Sequence, residues 1–306
     1  MRELVVGTRG SALAMWQARW VVGQLAEKRP DLRLRIERIQ TEGDVRTGAP
    51  LWQIGGTGLF VKEIEKALLE GRVDLAVHSM KDLPSTMAGG LLIAAVPERE
   101  DPRDVSVSRH GLPLSRLPAG ARIGTSSSRR RAQLLAFRPD LQIVPLRGNV
   151  DTRLRKADGE DLDAVVLAAA GLDRLGYAQR ITEHIPLEVC LPAPGQGALA
   201  VQAREGDRDV IEALSVLDHP ATRRATEAER SFLRVMGGGC QLPMACLCRS
   251  AEGGLVMEAL VAGPDGAQVL RERDAGGAGD PAALGERIAG KLLARGAAQL
   301  LGEVQP

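Results

Sequence analysis

The stretch Leu4-Val-Val-Gly-Thr-Arg-Gly-Ser11 joins a short apolar run to a segment with helical periodicity. The apolar run is typical of a buried strand, and between Leu13 and Leu25 apolar side chains recur at helical spacing. A strand that turns directly into a helix is the repeating unit of α/β folds, and ligands bind at such turns. The opening of the chain therefore predicts an α/β fold with a binding turn near residues 7–11.

The same alternation of strand and helix patterns continues along the chain. Further strands are predicted over residues 32–36, 73–77, 121–123, 141–146, 165–168 and 255–261. Helices are predicted over residues 60–68, 131–137, 151–157, 222–236 and 281–301. This order of elements indicates α/β architecture throughout.

Length and composition restrict the class of protein. The 306 residues leave room for two or three domains, and 44% hydrophobic with 26% charged residues is typical of a globular chain. The formal net charge of +1 argues against a nucleic-acid-binding protein. The longest run of apolar residues and glycines, 87–96, is well short of the ~20 residues of a membrane-spanning helix. The N-terminus lacks the layout of a secretory signal, so we expect a cytoplasmic protein.

Two stretches interrupt the alternation and have the composition of linkers. They are Pro97-Glu-Arg-Glu-Asp-Pro-Arg-Asp104 and Leu191-Pro-Ala-Pro-Gly-Gln-Gly197. Because they bracket about a hundred residues, they predict a lobe inserted between two crossings of the chain.

Arginines gather at three predicted strand-to-helix turns. Arg9 lies on the first turn, Arg129 and Arg130 follow Thr125-Ser-Ser-Ser128 on another, and Arg147 and Arg153 follow a third predicted strand. Backbone N–H groups and the helix dipole favour anions at such turns, and guanidinium groups fit carboxylate or phosphate oxygens. In an arginine-rich chain, one such residue could simply lie on the surface without binding a ligand. Three sets at equivalent turns favour an anion site.

Two further segments contain reactive residue types. Lys81 and Asp82 follow the end of the predicted strand 73–77 and could provide an anion contact and a carboxylate, although an ordinary ion pair on a loop is the simpler interpretation. Cys240 follows Gly237-Gly-Gly239 on a predicted turn, where it is either an exposed thiol or a buried structural cysteine. The spacing of the four cysteines does not suggest a zinc site.

Seven ordered stretches together make the chain resemble the porphobilinogen deaminase, or hydroxymethylbilane synthase, family almost from end to end. They are Gly7-Thr-Arg-Gly-Ser-Ala-Leu-Ala14, Gly58-Leu-Phe-Val-Lys-Glu63, Val77-His-Ser-Met-Lys-Asp-Leu-Pro84, Gly124-Thr-Ser-Ser-Ser-Arg-Arg130, Leu146-Arg-Gly-Asn-Val-Asp-Thr-Arg-Leu154, Pro192-Ala-Pro-Gly-Gln-Gly-Ala198 and Gly238-Gly-Cys-Gln-Leu-Pro243.

The resemblance implies a transferase of haem and other tetrapyrrole biosynthesis. It would condense four porphobilinogen molecules head to tail into the linear tetrapyrrole hydroxymethylbilane, releasing ammonia, on a dipyrromethane cofactor held covalently by Cys240. Asp82 would be the catalytic carboxylate, and no metal is implied. Residues implied to contact the cofactor are Asp44, Lys81, Ser127, Arg129 and Arg130. Residues implied to contact substrate or the growing chain are Arg9, Ser11, Phe60, Arg147, Arg153, Arg174 and Gln196; Phe60 could equally pack in the core.

The resemblance also implies a three-domain α/β fold. Residues 1–97 with 198–215 and residues 103–191 would resemble the two lobes of periplasmic binding proteins, with hinges near 98–102 and 192–197. Residues 220–306 would form a smaller α/β domain carrying Cys240. We expect a monomer that binds no nucleic acid or membrane. The alternative is a two-lobed carboxylate-binding or effector-sensing module without catalysis, while phosphoryl transfer lacks a phosphate-binding Gly-Lys-Ser/Thr loop.

Overall fold

The computed structural model describes residues 3–41, 61–238, 242–277 and 279–302. Its strands are β1 (Glu3–Thr8), β2 (Arg33–Arg38), β3 (Leu75–Ser79), β4 (Leu91–Ala95), β5 (Asp104–Ser108), β6 (Arg122–Gly124), β7 (Gln142–Val144), β8 (Ala164–Ala168), β9 (Glu183–His184), β10 (Leu199–Arg204), β11 (Met244–Ala251), β12 (Gly254–Ala262) and β13 (Val269–Gly276). Its α-helices are α1 (Ala12–Lys28), α2 (Lys62–Leu69), α3 (Ser128–Phe137), α4 (Val150–Ala157), α5 (Ala169–Arg174), α6 (Arg208–Ser215), α7 (Pro220–Val235), α8 (Pro281–Ala294) and α9 (Ala297–Gly302).

The chain divides into two compact units. The first comprises Met1–Arg99 and Ala198–Arg223, and the second comprises Glu100–Gly197 and Arg224–Pro306. The three-domain boundaries given above stay a prediction.

The first unit is built on a five-stranded sheet in the order β2-β1-β3-β10-β4. Strand β1 pairs in parallel with β2 and β3, and β10 runs antiparallel to β3 and β4. Apolar residues of β1, β3 and β10 pack against α1 and α6, so the sheet is fixed in one register by its buried face. Because β1 and β3 are parallel neighbours, their carboxyl ends meet at the same sheet edge.

The second unit contains two sheets. The five-stranded sheet has the order β7-β6-β8-β5-β9, with β6 parallel to β7 and β8 and with β5 antiparallel to β8. The other is an antiparallel meander, β11-β12-β13. Alternate residues of this meander pack on α7, α8 and α9 on one face, and on Ala132 of α3 and Leu191 on the other. The alternation follows from the two-residue period of a strand.

The predicted α/β class is confirmed, with two five-stranded sheets and a small third sheet near the C-terminus. Two details of the sequence prediction are wrong. The terminal helix predicted over 281–301 is interrupted, because Gly296 adopts φ +94°, a conformation that ends a helix. Asp104, placed at the end of a linker, instead begins β5 and is completely buried.

No helix of the described ranges combines the length and apolar character needed to cross a membrane.

Candidate active site

In the first unit, predicted site residues follow two neighbouring parallel strands. Arg9 and Ser11 come directly after β1, and Lys81 and Asp82 come after β3. Ser11 caps α1, since its Oγ accepts a hydrogen bond from the N–H of Ala14 at 3.3 Å. The hydroxyl hydrogen is not used in that cap, so it is available to an acceptor such as a carboxylate.

Asp82 lies at the end of a single 3-10 turn, Met80–Asp82. Met80 and Leu83, on either side of the Lys81-Asp82 pair, are buried in one apolar cluster, and the N–H of Met80 donates to the carbonyl of Ala198 at 3.0 Å. The Asp82 side chain is exposed, and Lys81 is half-buried. Buried neighbours on both sides therefore hold the turn in place, while the Asp82 carboxylate is exposed to solvent.

His78 is the buried neighbour of this turn. Burial lowers the pKa of its imidazole to about 4; an interaction with Gln202 opposes this shift and the charge of Arg9 adds to it. His78 is therefore neutral at physiological pH. It provides no second charge beside Asp82.

In the second unit, three parallel neighbours, β7, β6 and β8, point their carboxyl ends to one edge. The turn after β6 leads to Ser127, which caps α3 by accepting from the N–H of Arg130 at 3.4 Å. The turn after β7 contains Arg147, and β8 leads into α5, which ends at Arg174. Ser126 joins the first two turns, because its Oγ donates to the carbonyl of Leu146 at 2.8 Å and accepts from its N–H at 2.9 Å.

Arg129 and Arg130 are buried against one carboxylate. Arg129 Nη1 lies 2.6 Å from Asp104 Oδ2, and Nε and Nη2 of Arg130 lie 3.0 and 2.7 Å from Oδ1. Arg129 Nη1 also donates to the carbonyl of Leu191 at 2.7 Å, and Arg130 Nη1 to that of Val166 at 2.9 Å. These two arginines thus bind protein groups, which the sequence analysis did not anticipate.

The cluster formed by Asp104, Arg129 and Arg130 has a formal charge of +1. Burial raises the pKa of the Asp104 carboxyl, but the charges of Arg129 and Arg130 outweigh burial and hold that pKa well below its usual range. The adjacent Cys190 thiol stays protonated, since burial and the charge of Asp104 raise its pKa to about 12. The two guanidinium groups therefore carry one positive charge more than the carboxylate balances.

Arg174 is buried with unused hydrogen-bonding capacity. Its Nη2 donates to the carbonyl of Gly197 at 2.7 Å, but its buried Nε has no hydrogen-bond partner among the described residues. Burial lowers the pKa of this guanidinium to about 10, with Glu100 and Asp173 acting in the opposite direction, so it remains charged at neutral pH. An orphaned buried donor of this kind is expected at a site that binds an acceptor.

The remaining predicted residues of this unit differ in burial and in their hydrogen bonds to the protein. Arg147 and Arg153 are half-buried, and Arg153 Nε donates to the carbonyl of Gly148 at 2.8 Å. Gln196 is 1% exposed, and its Nε2 donates to Asp104 Oδ1 at 2.9 Å and to the carbonyl of Pro102 at 2.7 Å. Gln196 therefore binds the protein interior, and its contact with substrate stays a prediction.

Three predicted site residues, Asp44, Phe60 and Cys240, lie outside the described residues. The others form two groups, one at the sheet edge of each unit. Sequence reasoning missed Asp104 and Ser126. A carboxylate in a charged stretch and one serine of three carry no local signal of these long-range contacts.

Comparison with known proteins gives consistent matches over the whole chain. A family model described as porphobilinogen deaminase, dipyromethane cofactor binding domain, matches residues 4–212, and one described as porphobilinogen deaminase, C-terminal domain, matches residues 224–294. The porphobilinogen deaminase of Desulforudis audaxviator (strain MP104C) is 52% identical over 304 residues, which are 99% of this chain and 98% of that protein. That of Moorella thermoacetica (strain ATCC 39073 / JCM 9320) is 51% identical over 305 residues, covering 100% and 97% respectively.

Similar solved structures include two of low sequence identity. A putative lipoprotein from Ruminococcus gnavus ATCC 29149 has a TM-score of 0.43 and 15% identity, covering 71% of this chain and 91% of that chain. The probable amino-acid ABC transporter extracellular-binding protein ytmK from Bacillus subtilis has a TM-score of 0.39 and 11% identity, covering 70% and 89%.

Proposed function

The chain belongs to the porphobilinogen deaminase family, and from that premise we propose how its residues perform the reaction. The activity is that of a transferase, hydroxymethylbilane synthase, which condenses four porphobilinogen molecules into a linear tetrapyrrole and releases ammonia. Its cofactor is dipyrromethane. The alternative of a binding module without catalysis is therefore set aside.

The donor groups of the second unit fit a cofactor that carries carboxylates. The hydrogen bonds of Arg129 to the described residues run from Nη1, which leaves its Nε and Nη2 for a ligand, and the Ser127 hydroxyl hydrogen is likewise not used in its cap. We assign these two groups, with Lys81 and Arg130, to the cofactor carboxylates, Asp44 to a further cofactor contact, and Cys240 to the covalent attachment. When bound, the dipyrromethane supplies the pyrrole end to which the first substrate is joined.

Asp82 is assigned to the chemistry on porphobilinogen. Loss of ammonia from the aminomethyl group leaves a cation delocalised over the substrate pyrrole. A preorganised carboxylate can accept a hydrogen bond from the pyrrole N–H and stabilise that developing charge. The same carboxylate can then accept a proton as aromaticity returns. The anchored, outward-facing position of Asp82 supports this assignment.

The other arginines are assigned to the lengthening product. Each porphobilinogen unit brings an acetate and a propionate, so every condensation adds two negative charges. Arg147, Arg153 and Arg174 at one sheet edge, and Arg9 with Ser11 at the other, would bind these carboxylates by charge-assisted hydrogen bonds. Phe60 and Gln196 are retained as candidate substrate contacts.

The orphaned, buried Nε of Arg174 carries this assignment, because an unpaired buried donor is costly unless a ligand satisfies it. The test is to follow porphobilinogen consumption, ammonia release and hydroxymethylbilane formation by the purified protein and by Arg174→Leu. We expect one ammonia per porphobilinogen consumed, and a higher KM in the variant. An Arg174→Leu protein with an unchanged KM for porphobilinogen would remove Arg174 from the site.

A monomeric state and a cytoplasmic location stay predictions. Sedimentation of the purified protein at several concentrations tests the first, and fractionation of cells tests the second.

A further inference from the structure

The two chain crossings of the second unit lie against each other. The N–H of Glu100 donates to the carbonyl of Gly197 at 3.3 Å. Gly197 adopts φ +88°, and a Cβ there would lie 2.5 Å from the Glu100 oxygen, so only glycine fits. Gln196 adds a side-chain bond to the carbonyl of Pro102 at 2.7 Å. The outgoing segment 100–104 and the returning segment 192–197 therefore form one bonded pair.

Asp104 connects this pair of crossings to α3. One of its oxygens, Oδ2, accepts from Arg129, while Oδ1 accepts from both Arg130 and Gln196. The Cys190 thiol also lies 3.3 Å from Oδ2. The carboxylate is completely buried and both of its oxygens accept hydrogen bonds, so any rotation would break several bonds at once.

This arrangement determines which nitrogens of the buried Arg129 side chain bind the protein. Asp104 and the Leu191 carbonyl both accept hydrogen bonds from Nη1 of Arg129. The Nε and Nη2 groups of the same guanidinium are therefore available to donate to a ligand. An arginine fixed in this way loses little conformational entropy when it binds a planar carboxylate.

We propose that Asp104 is a positioning residue for cofactor binding, which orients Arg129 toward a cofactor carboxylate and links that orientation to the Gln196 segment. The proposal rests on the proposed role of Arg129 in holding the cofactor. A purely structural Asp104 would neutralise buried charge and have no specific effect on loading.

The experiment compares Asp104→Asn, Asp104→Glu and wild type for the ratio of cofactor-loaded to unloaded chain, measured by intact mass on folded protein. Asp104→Glu keeps the charge but displaces it by one methylene, so it remains informative if Asp104→Asn does not fold. We expect both to reduce the loading ratio by roughly 10- to 100-fold, the range typical of partners that orient a binding residue. Asp101→Asn is the matched control, since it removes a partly exposed Asp101–Arg103 pair on the same crossing.

A double-mutant cycle with Arg129→Gln separates positioning from stability. Arg129→Gln leaves Asp104 paired with Arg130, so no uncompensated charge is buried. If Asp104 acts through Arg129, the double variant loads no worse than Arg129→Gln alone; independent effects would multiply. Multiplying losses, or wild-type loading by folded Asp104→Glu, would overturn the proposal. A wild-type chain that carries no cofactor would instead contradict the proposed function.

Discussion

Among the arginines of the second unit, two electrostatic situations occur. Arg129 and Arg130 share the buried carboxylate of Asp104, whereas Arg147 is half-buried at the sheet edge. Replacing Arg129 removes buried charge-assisted hydrogen bonds to Asp104 and to the Leu191 carbonyl, although Arg130 still balances the charge of Asp104. A partly exposed arginine can be replaced with little effect on folding. The same substitution should therefore have different consequences at these positions.

We predict that Arg129→Leu is both unstable and inactive, while Arg147→Leu is inactive but stable. The free energy of unfolding should fall by about 1.5–3 kcal/mol in Arg129→Leu, from the lost charge-assisted hydrogen bonds, and by less than about 1 kcal/mol in Arg147→Leu. Denaturant unfolding and hydroxymethylbilane formation, measured on the same preparations, test both statements. Equal stability of the two variants would contradict the ion cluster, and full activity of Arg147→Leu would make it a surface residue.

Asp82→Asn should separate binding from chemistry. The substitution keeps the size of the side chain but removes the charge that we propose stabilises the substrate cation, so turnover should fall by roughly a hundredfold or more. The folded protein should still carry its cofactor, because the proposed cofactor contacts are unchanged. Turnover per loaded chain is the measurement, with Asp31→Asn, on an exposed ion pair, as control. Near-normal turnover would reduce Asp82 to an ordinary surface acid.

Sequence reasoning at the residue scale depends on whether a residue's partners are local. Asp82 could be placed just after a strand and Ser127 at a strand-to-helix turn, since both positions are visible in the sequence. The role of Asp104 could not, because its partners lie 25, 26 and 92 residues further along the chain. Only the folded sheet brings them together.

At the scale of elements, the buried His78 of β3 should lower the stability of the folded protein in mild acid. In the folded chain the pKa of this buried imidazole is about 4, against 6.5 for the ordinary group. Below pH 6.5 the unfolded chain takes up a proton that the folded chain does not, so stability falls as the pH drops from about 6.5 to 4. The loss should reach roughly 3 kcal/mol, from 1.36 kcal/mol per pKa unit. His78→Gln should flatten this part of the stability profile, measured by denaturant unfolding at several pH values. A His78→Gln protein with the wild-type slope would contradict the assignment.

The turn between β12 and β13 should depend on Gly266. A Cβ at this position would lie 2.3 Å from the carbonyl oxygen of Ala132 and 2.6 Å from the nitrogen of Ala136, both in α3. Gly253 provides a matched control, since it has a similar φ, +83° against +75°, but no atom within 4 Å of an added Cβ. Gly253→Ala should cost only the conformational penalty of about 1–2 kcal/mol.

Gly266→Ala should cost a further ~1–3 kcal/mol, because the meander must move away from α3. Thermal unfolding of the two variants measures the difference. Equal losses would mean that the close approach to α3 contributes nothing to stability.

Helices and strands could be predicted from the sequence where the spacing of apolar residues was regular and uninterrupted. The unit β1-turn-α1 matches its pattern, and so does the long helix α7. Strand β10 was missed, because it follows the Pro- and Gly-rich segment directly and only its pairing with β3 and β4 identifies it. The interruption at Gly296 was missed because apolar spacing continues into α9, and one glycine within a helical pattern does not by itself predict a break.

At the scale of the whole molecule, near-neutral charge and a polyanionic product are compatible because the cations are concentrated locally. Forty basic residues are balanced by thirty-nine acidic ones. The arginines after β6, β7 and β8 nevertheless gather at one sheet edge. A local cationic edge can bind a lengthening chain of carboxylates, while the low net charge of the whole chain limits nonspecific attraction to other polyanions.

The four cysteines give the last test, because they are not equally able to carry a covalent group. Cys190, Cys246 and Cys248 are all buried, and burial raises the pKa of Cys190 to about 12, so its nucleophilic thiolate is suppressed. Cys240, which matches the family motif, is the attachment point that we propose. We therefore predict that the intact mass of the purified protein exceeds its sequence mass by one covalent dipyrrole, and that Cys240→Ser has the unmodified mass and no activity. Cys246→Ala and Cys248→Ala should keep the adduct, since they change only buried side chains. An adduct that persists in Cys240→Ser would move the attachment to another cysteine, and an active wild-type protein of unmodified mass would mean that this chain works without a covalent primer.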